Sequence, residues 1–277
     1  MTSSVLITGG TGFLGRGLAR SLLDSGHERV CSYSRGEHTQ ASMRQEFNDE
    51  RLRFFVGDVR DLDRIERAMA GVEVVIHAAA LKRIEVGHLN PDEMVKTNVT
   101  GTLNVIEAAR RTRVKRVILV SSDKAFEPIS PYGLTKALAE HLCLSANRMN
   151  LGPKFVVCRY GNVSGSTGSV IPLWRGYIAR GEVVPITDPE CTRFWMHLSE
   201  AVALVRSAMV GDKEVLIPIL PAYRLVELAI AMGAKDTKIT GLASWEKKHE
   251  SMADGNSSKY ARRLSLDELR ELLRAVP

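Results

Sequence analysis

Thr8-Gly9-Gly10-Thr11-Gly12-Phe13-Leu14-Gly15 stands between the apolar run Val5-Leu6-Ile7 and a stretch, 14–24, with apolar residues at helical spacing. Glycines at 9, 12 and 15 permit a tight turn, close approach of backbone to a pyrophosphate, and close packing of helix on strand. The helix amino terminus then turns free N–H groups and the positive end of its dipole toward phosphates. A glycine trio alone is weak evidence. Its place between this strand and this helix makes Gly9, Thr11, Gly12, Phe13, Leu14 and Gly15 candidate dinucleotide contacts.

The same rhythm continues outward. Strands are expected at 5–8, 29–34, 52–56, 72–77, 116–121 and 155–159, and helices at 14–24, 62–69, 91–111 and 134–149. Strands joined by helical crossovers predict an α/β fold, a doubly wound parallel sheet of the Rossmann type with helices on both faces. Ligands of such sheets lie at the carboxyl ends of the strands. After Arg159 the regularity breaks into Gly, Ser and Pro-rich segments, with shorter helices expected at 199–210, 224–232 and 266–275 and a flexible turn at 254–258. The expected organisation is a nucleotide-binding part, 1–160, and a smaller C-terminal substrate-binding part, 161–277, some of whose segments return to the sheet.

Composition narrows the function classes. Of 277 residues, 44% are hydrophobic and 25% charged, the balance of an ordinary soluble globular protein. No run of about twenty apolar residues is present, so no membrane-spanning helix is expected. Nothing ahead of Val5 resembles a signal peptide, and cytoplasmic location is the default expectation. Cys31, Cys143, Cys158 and Cys191 show no Cys-x-x-Cys spacing, so neither a metal site nor a redox pair is suggested. The net charge of +6 is scattered, apart from 110–116 at a predicted helix end, and no motif supports nucleic-acid binding.

Each strand end adds chemistry. The second ends in Ser34-Arg35, where NAD binding usually involves an acidic residue for the ribose 2′-hydroxyl. A serine and an arginine suit a 2′-phosphate, favouring NADP over NAD; the plain alternative for Arg35 is a solvated turn residue. Asp58-Val59 follows the third strand, where the carboxylate can receive an adenine amino group. Ala78-Ala79, after the fourth, lets the chain pass close under a ribose. Tyr132 and Lys136 lie one helical turn apart on one face, after the fifth strand, where both would meet the nicotinamide end. The ammonium can depress the phenol's pKa, so that a tyrosinate removes an alcohol proton while hydride leaves the carbon. Ser122 supplies a hydroxyl to orient the reacting oxygen.

With these residues assembled, the chain resembles the extended short-chain dehydrogenase/reductase family. Ser121-Ser122-Asp123-Lys124-Ala125, His77-Ala78-Ala79-Ala80-Leu81-Lys82, Arg159-Tyr160-Gly161-Asn162-Val163 and Thr192-Arg193-Phe194-Trp195 look like the inverting UDP-N-acetylglucosamine 4,6-dehydratases of the polysaccharide biosynthesis type, over about 5–250. The resemblance implies Lys124 as the base at C5 and Asp123 as the acid at the C6 hydroxyl. A basic lysine must be neutral, which burial and the charge of Lys136 would favour, whereas an aspartic acid beside an ammonium should have a depressed pKa. It further implies sugar-nucleotide contacts from Lys82, Asn162, Thr167 and Ser169, pyrophosphate binding by Arg193, and a homo-oligomer.

Two stretches depart from the pattern. The family's Arg-Pro-Gly-Glu-Lys-x-His-Glu reads Ala243-Ser244-Trp245-Glu246-Lys247-Lys248-His249-Glu250, and a histidine expected after Ala-Leu-Lys is Arg83. The missing arginine removes an expected phosphate contact, and Trp245 either stacks on a base or fills a gap. Two alternatives stay open. One is a sugar 4- or 5-epimerase of the same fold, against which Asp123-Lys124 argues. The other is a non-catalytic NADP-binding regulator.

Overall fold

A computed structural model describes residues 4–150 and 152–276. Residues 1–3, 151 and 277, which fall within the two parts expected from the sequence, lie outside the described residues. The chain begins β1 (Ser4–Thr8), α1 (Phe13–Asp24), β2 (Arg29–Ser34), α2 (Glu37–Phe47), β3 (Leu52–Val56), α3 (Leu62–Met69) and β4 (Val74–His77). It continues with α4 (Ile84–Leu89), α5 (Pro91–Met94), a π-helical segment (Val95–Thr100) and α6 (Gly101–Arg111). Then come β5 (Arg116–Val120), a 3-10 turn (Asp123–Ala125), α7 (Pro131–Arg148) and β6 (Lys154–Cys158).

These six strands and the short Val215–Leu216 form one seven-stranded sheet. Its order is β3-β2-β1-β4-β5-β6 and then Val215–Leu216, and every pairing is parallel. This is the doubly wound sheet expected from the alternating pattern. Residue alternation divides its core by face. Val5, Ile7, Val74 and Ile76 pack with Leu18 and Leu22 of α1, whereas Leu6, Val75, Val117 and Leu119 pack with Ile65 of α3 and Val105 of α6. β1, β4, β5 and β6 are buried on both faces and read as near-continuous apolar runs, whereas the edge strand β3 exposes Arg53 and Val56.

Helix boundaries follow local chemistry. Ser130 caps α7, its Oγ accepting from the Gly133 N–H at 3.1 Å, and Pro131 occupies the first turn. The single helix expected over 91–111 is instead three segments, the middle one π-helical. There the extra residue per turn accompanies a buried Asn98 that binds the main chain at Leu81 through both its oxygen and its nitrogen. Helix α2 escapes the sequence pattern because it buries only Gln40, Met43 and Phe47, too sparse a stripe to read.

Beyond β6, Ile171, Trp174, Val184, Ile186, Trp195, Tyr223 and Leu228 form a separate apolar cluster. It joins α8 (Val170–Ala179) to two short two-stranded sheets, Thr192–Phe194 with Ala222–Arg224 and Val184–Ile186 with Thr237–Ile239. The expected flexible turn at 254–258 is the tip and return strand of an antiparallel hairpin, Ser251–Ala253 with Asn256–Ser257, with Gly255 at φ +72°.

A Cβ at Gly15 would lie 2.5 Å from the Gly9 carbonyl oxygen and 2.6 Å from that of Gly10. Gly15→Ala is expected to push α1 off the turn and cost about 1–3 kcal/mol of unfolding free energy, measured by urea denaturation. Gly176→Ala in α8, where a Cβ meets only the end of the Arg180 side chain at 3.3 Å, should not destabilise.

Candidate active site

A cleft of about 790 Å³ opens at the carboxyl ends of the strands, where β1 and β4 diverge to opposite halves of the sheet. Gly9, Thr11, Gly12, Phe13, Leu14, Gly15, Ser34, Arg35, Asp58, Val59, Ala78 and Ala79 line one part of it. Ser122, Lys124 and Tyr132 line the centre, with Lys82, Asn162, Thr167 and Ser169 beyond. Three expected residues, Asp123, Lys136 and Arg193, are not among the lining residues.

The glycine turn is held in place and left open on one side. Gly9, at φ +69°, donates its N–H to the Tyr33 carbonyl at 2.8 Å, and a Cβ on it would stand 3.0 Å from Ala79 Cα. Gly12 is different: a Cβ there would meet only the Gly9 oxygen, at 3.1 Å. Its open side, over an α1 amino terminus that no side chain caps, is a cradle for a pyrophosphate. Behind the turn runs a buried hydrogen-bonded chain. Thr8 Oγ1 meets His77 Nδ1 at 2.7 Å, His77 Nε2 meets Thr102 Oγ1 at 3.1 Å, and Thr102 donates to the Asn98 carbonyl at 2.6 Å. Asn98 then donates to Thr135 Oγ1 at 3.0 Å, reaching α7.

At the adenosine end Arg35 is exposed, with Nη1 3.9 Å from Asp58 Oδ2. Asp58 is more firmly engaged by Arg60, at 2.7 Å from Nη2 and 3.0 Å from the backbone N–H. Burial raises the Asp58 pKa, but those bonds outweigh it and hold the carboxyl below its ordinary value. The residue expected to receive an adenine amino group therefore already carries a cation.

The catalytic candidates gather around the turn after β5. Ser122 Oγ donates to Asp123 Oδ1 at 2.8 Å and lines the cleft together with Tyr132. Burial raises the pKa of the Tyr132 phenol, against the charge of Lys124 and the effect of the Ser122 hydroxyl. The expected partnership of Tyr132 with Lys136 is not what the structure contains. Lys136 is buried with Nζ donating to the Val120 carbonyl at 2.6 Å, and burial brings its pKa down to about 8. The cation that acts on the phenol is Lys124, because Lys136 satisfies a strand-end carbonyl beneath it.

Lys124 also departs from expectation. Its Nζ stands 3.1 Å from Asp123 Oδ1, 3.2 Å from Glu250 Oε1 and 3.3 Å from Asn162 Oδ1. Burial favours the neutral amine, but the two carboxylates outweigh it and the pKa is raised. The lysine rests as an ammonium. Asp123, expected to be depressed by its neighbour, is instead raised, by burial first, with the charge of Glu250 adding to the effect of burial. Its Oδ2 has no hydrogen-bond partner among the described residues.

Arg193 is buried and turned away. Nη2 binds Glu246 Oε1 at 2.6 Å, and Nη1 donates to the carbonyls of Thr192 at 2.8 Å and Lys248 at 3.1 Å. A buried guanidinium must satisfy its donors, and the nearby 246–248 segment does so. Trp245 stacks on His88, ring centroids 4.1 Å apart, rather than facing the cleft. Glu246 and Glu250 escaped the sequence reading as site residues, although both stand in the segment singled out as divergent. Arg83 joins the lining, its Nε 3.2 Å from where a Cβ on Gly168 would lie. Among the described residues no group of three or more His, Cys, Asp or Glu could hold a metal ion, and no helix is long and apolar enough to cross a membrane.

Comparison with known proteins identifies the family and the fold. A family described as polysaccharide biosynthesis protein matches residues 5–266. The UDP-N-acetylglucosamine 4,6-dehydratase (inverting) of Campylobacter jejuni subsp. jejuni serotype O:23/36 (strain 81-176) is 41% identical over 262 residues, covering 92% of this chain and 78% of that protein. The UDP-glucose 4-epimerase of Rickettsia rickettsii (strain Sheila Smith) is 38% identical over 284 residues, covering 98% and 82%. The X-ray structure of Pen from Bacillus thuringiensis superposes with a TM-score of 0.93 at 31% identity, over 99% of this chain and 97% of that one.

Burial brings the His77 pKa down to about 3, with the charge of Lys136 adding to the effect. The unfolded chain, with an ordinary value near 6.5, therefore takes up the proton first on acidification. Stability is full above about pH 6.5 and is lost as pH falls toward 3. Urea denaturation across that range should show a weaker acid dependence in His77→Asn than in the wild type.

Proposed function

The chain belongs to the polysaccharide biosynthesis protein family, within the extended short-chain dehydrogenases/reductases, and from that premise we propose that it is a 4,6-dehydratase of UDP-N-acetylglucosamine that inverts C5 and uses NADP. One observation carries the reading. Lys124, with Asp123 buried behind it at 3.1 Å, lines the cleft together with Ser122, Tyr132 and the glycine turn, just past the end of β5. The turn suits a dinucleotide, because side chains are excluded at Gly9 and Gly15 while the face over Gly12 stays open. Exposed Arg35, with no acidic residue at the end of β2, favours a ribose 2′-phosphate.

A nicotinamide dinucleotide held by the Gly9–Gly15 turn and Arg35 would supply a hydride acceptor for C4 and a hydride donor for C6. The protein moves the protons. Tyr132, in its phenolate form, which the charge of Lys124 favours against burial, receives the proton of the C4 hydroxyl as that carbon becomes a ketone. The ketone acidifies C5–H, whose proton passes to Lys124 after the lysine has released its resting proton to solvent in the cleft that it lines. Asp123, shifted toward its protonated form, gives its proton to the departing C6 hydroxyl, which leaves as water. C5 then takes a proton from solvent in the cleft on the face opposite Lys124, and the lysine, keeping the proton it received, ends as the ammonium it was at rest. The sugar nucleotide is assigned to the part after residue 160, reached through Asn162, Thr167 and Ser169, with Lys82 opposite.

A second reading, a sugar 4-epimerase, has the Rickettsia relative in its support. An epimerase uses Tyr132 and Ser122 at C4 and has no work for a buried Asp–Lys pair. Incubation with UDP-N-acetylglucosamine should give a product lighter by one water in mass spectrometry; unchanged mass with altered stereochemistry would favour the epimerase. Lys124→Ala should slow elimination by about 100-fold or more while keeping cofactor affinity. Arg35→Ala should weaken NADP binding by about tenfold or more with NAD unaffected, read by titration of each cofactor.

A further inference from the structure

Glu250 is a carboxylate that the dehydration scheme does not use. Its side chain is 2% exposed, its Oε1 lies 3.2 Å from Lys124 Nζ, and it is not part of the cleft lining. We propose that Glu250 is a positioning residue for Lys124, a buried counter-ion that holds the lysine as an ammonium and sets the pH at which it is released as an amine. The assay below rests on the dehydratase reading; the titration below does not.

The segment that carries Glu250 is tied down at each step. Trp245 stacks on His88 of α4, Glu246 binds Arg193, and Lys247 Nζ donates to the Phe126 carbonyl at 2.5 Å, just past the catalytic turn. The Glu250 N–H donates to Ser258 Oγ at 2.9 Å, and that hydroxyl lies 2.7 Å from Thr192 Oγ1. The loop thus brings a residue from far along the chain against Lys124 with a fixed backbone. Its divergence from the family pattern, Ala243 and Trp245, leaves Glu246, Lys247 and Glu250 in place.

The charges decide what Glu250 does there. Lys124 faces Asp123 and Asn162 on one side and Glu250 on the other, with Arg193 and Lys247 as like charges and the phenols of Tyr132 and Tyr223 nearby. Asp123 shifts toward its neutral form, whereas Glu250 is held ionised by Lys124, Arg193 and Lys247 against the effect of burial. Glu250 is therefore the carboxylate that keeps a full charge beside the ammonium. Without it, Lys124 would share a buried site with Arg193 and Lys247 opposed by Asp123 alone, and would lose its proton more readily.

Glu250 raises both Lys124 and Asp123, so removing its charge lowers both. Glu250→Gln should move both limbs of the pH–rate profile for water elimination toward acid, by about 1–3 pH units. Glu250→Asp, which keeps the charge, should leave the limbs in place. A packing role would lower the rate without moving them, and limbs that stay put in Glu250→Gln overturn the proposal. The wild-type protein gives a second test that needs no turnover. With 13C-labelled lysine, the NMR signal lost in Lys124→Arg should remain that of an ammonium above the ordinary value of about 10.4. Titration at or below that value overturns the proposal, even if Glu250→Gln fails to fold. If the wild type removes no water from the sugar nucleotide, the dehydratase reading falls, and comparing the Lys124 titration in the wild type and in Glu250→Gln still decides the role of Glu250: a midpoint lower in Glu250→Gln is expected, and an unchanged one overturns the proposal.

Discussion

The turn from β1 into α1 has three walls and one opening, and the arrangement of the whole sheet converges on it. Gly9 is bonded to the end of β2 through the Tyr33 carbonyl and pressed against Ala79 after β4. Gly15 lies against the carbonyls of Gly9 and Gly10, closing the third side. Only the face over Gly12 remains open, where strand order reverses and the chain on either side departs in opposite directions. The buried Thr8–His77–Thr102 chain ties this turn to the helices behind it. A shift of the turn would therefore be felt at both neighbouring strand ends and in α6.

A second constraint governs the chemistry. Placing several charges in one buried site makes each protonation state a property of the group. Burial alone would lower the Lys124 pKa; Asp123 and Glu250 reverse that. Burial alone does suffice for Lys136, whose nearest partner is a backbone carbonyl, and its pKa falls to about 8. The same physical effect thus gives two buried lysines opposite outcomes, decided by whether a carboxylate lies within about 3 Å.

Much of the fold was legible along the chain because buried parallel strands must be apolar throughout and helices must show a stripe. Strands β1–β6 lie within a residue or two of their expected bounds. What failed to show was what leaves little trace in pattern. Helix α2 has a thin buried face, and the π-helical break before α6 is set by Asn98 bonding to the distant Leu81. In the cleft, the glycine turn, Ser122, Lys124 and Tyr132 were readable because they stand at the ends of recognisable elements.

The sequence by itself determined the parallel sheet, the place of the cleft and the residue types brought to it, because those follow from local periodicity and turn chemistry. Tertiary structure alone decided the pairings. Lys136 serves Val120 rather than Tyr132, Arg193 serves Glu246 rather than the cleft, and Glu250, 126 positions beyond Lys124, stands against it. Spacing along a chain cannot reveal such partners, since a buried charge is satisfied by whatever donor or acceptor the fold happens to place nearest.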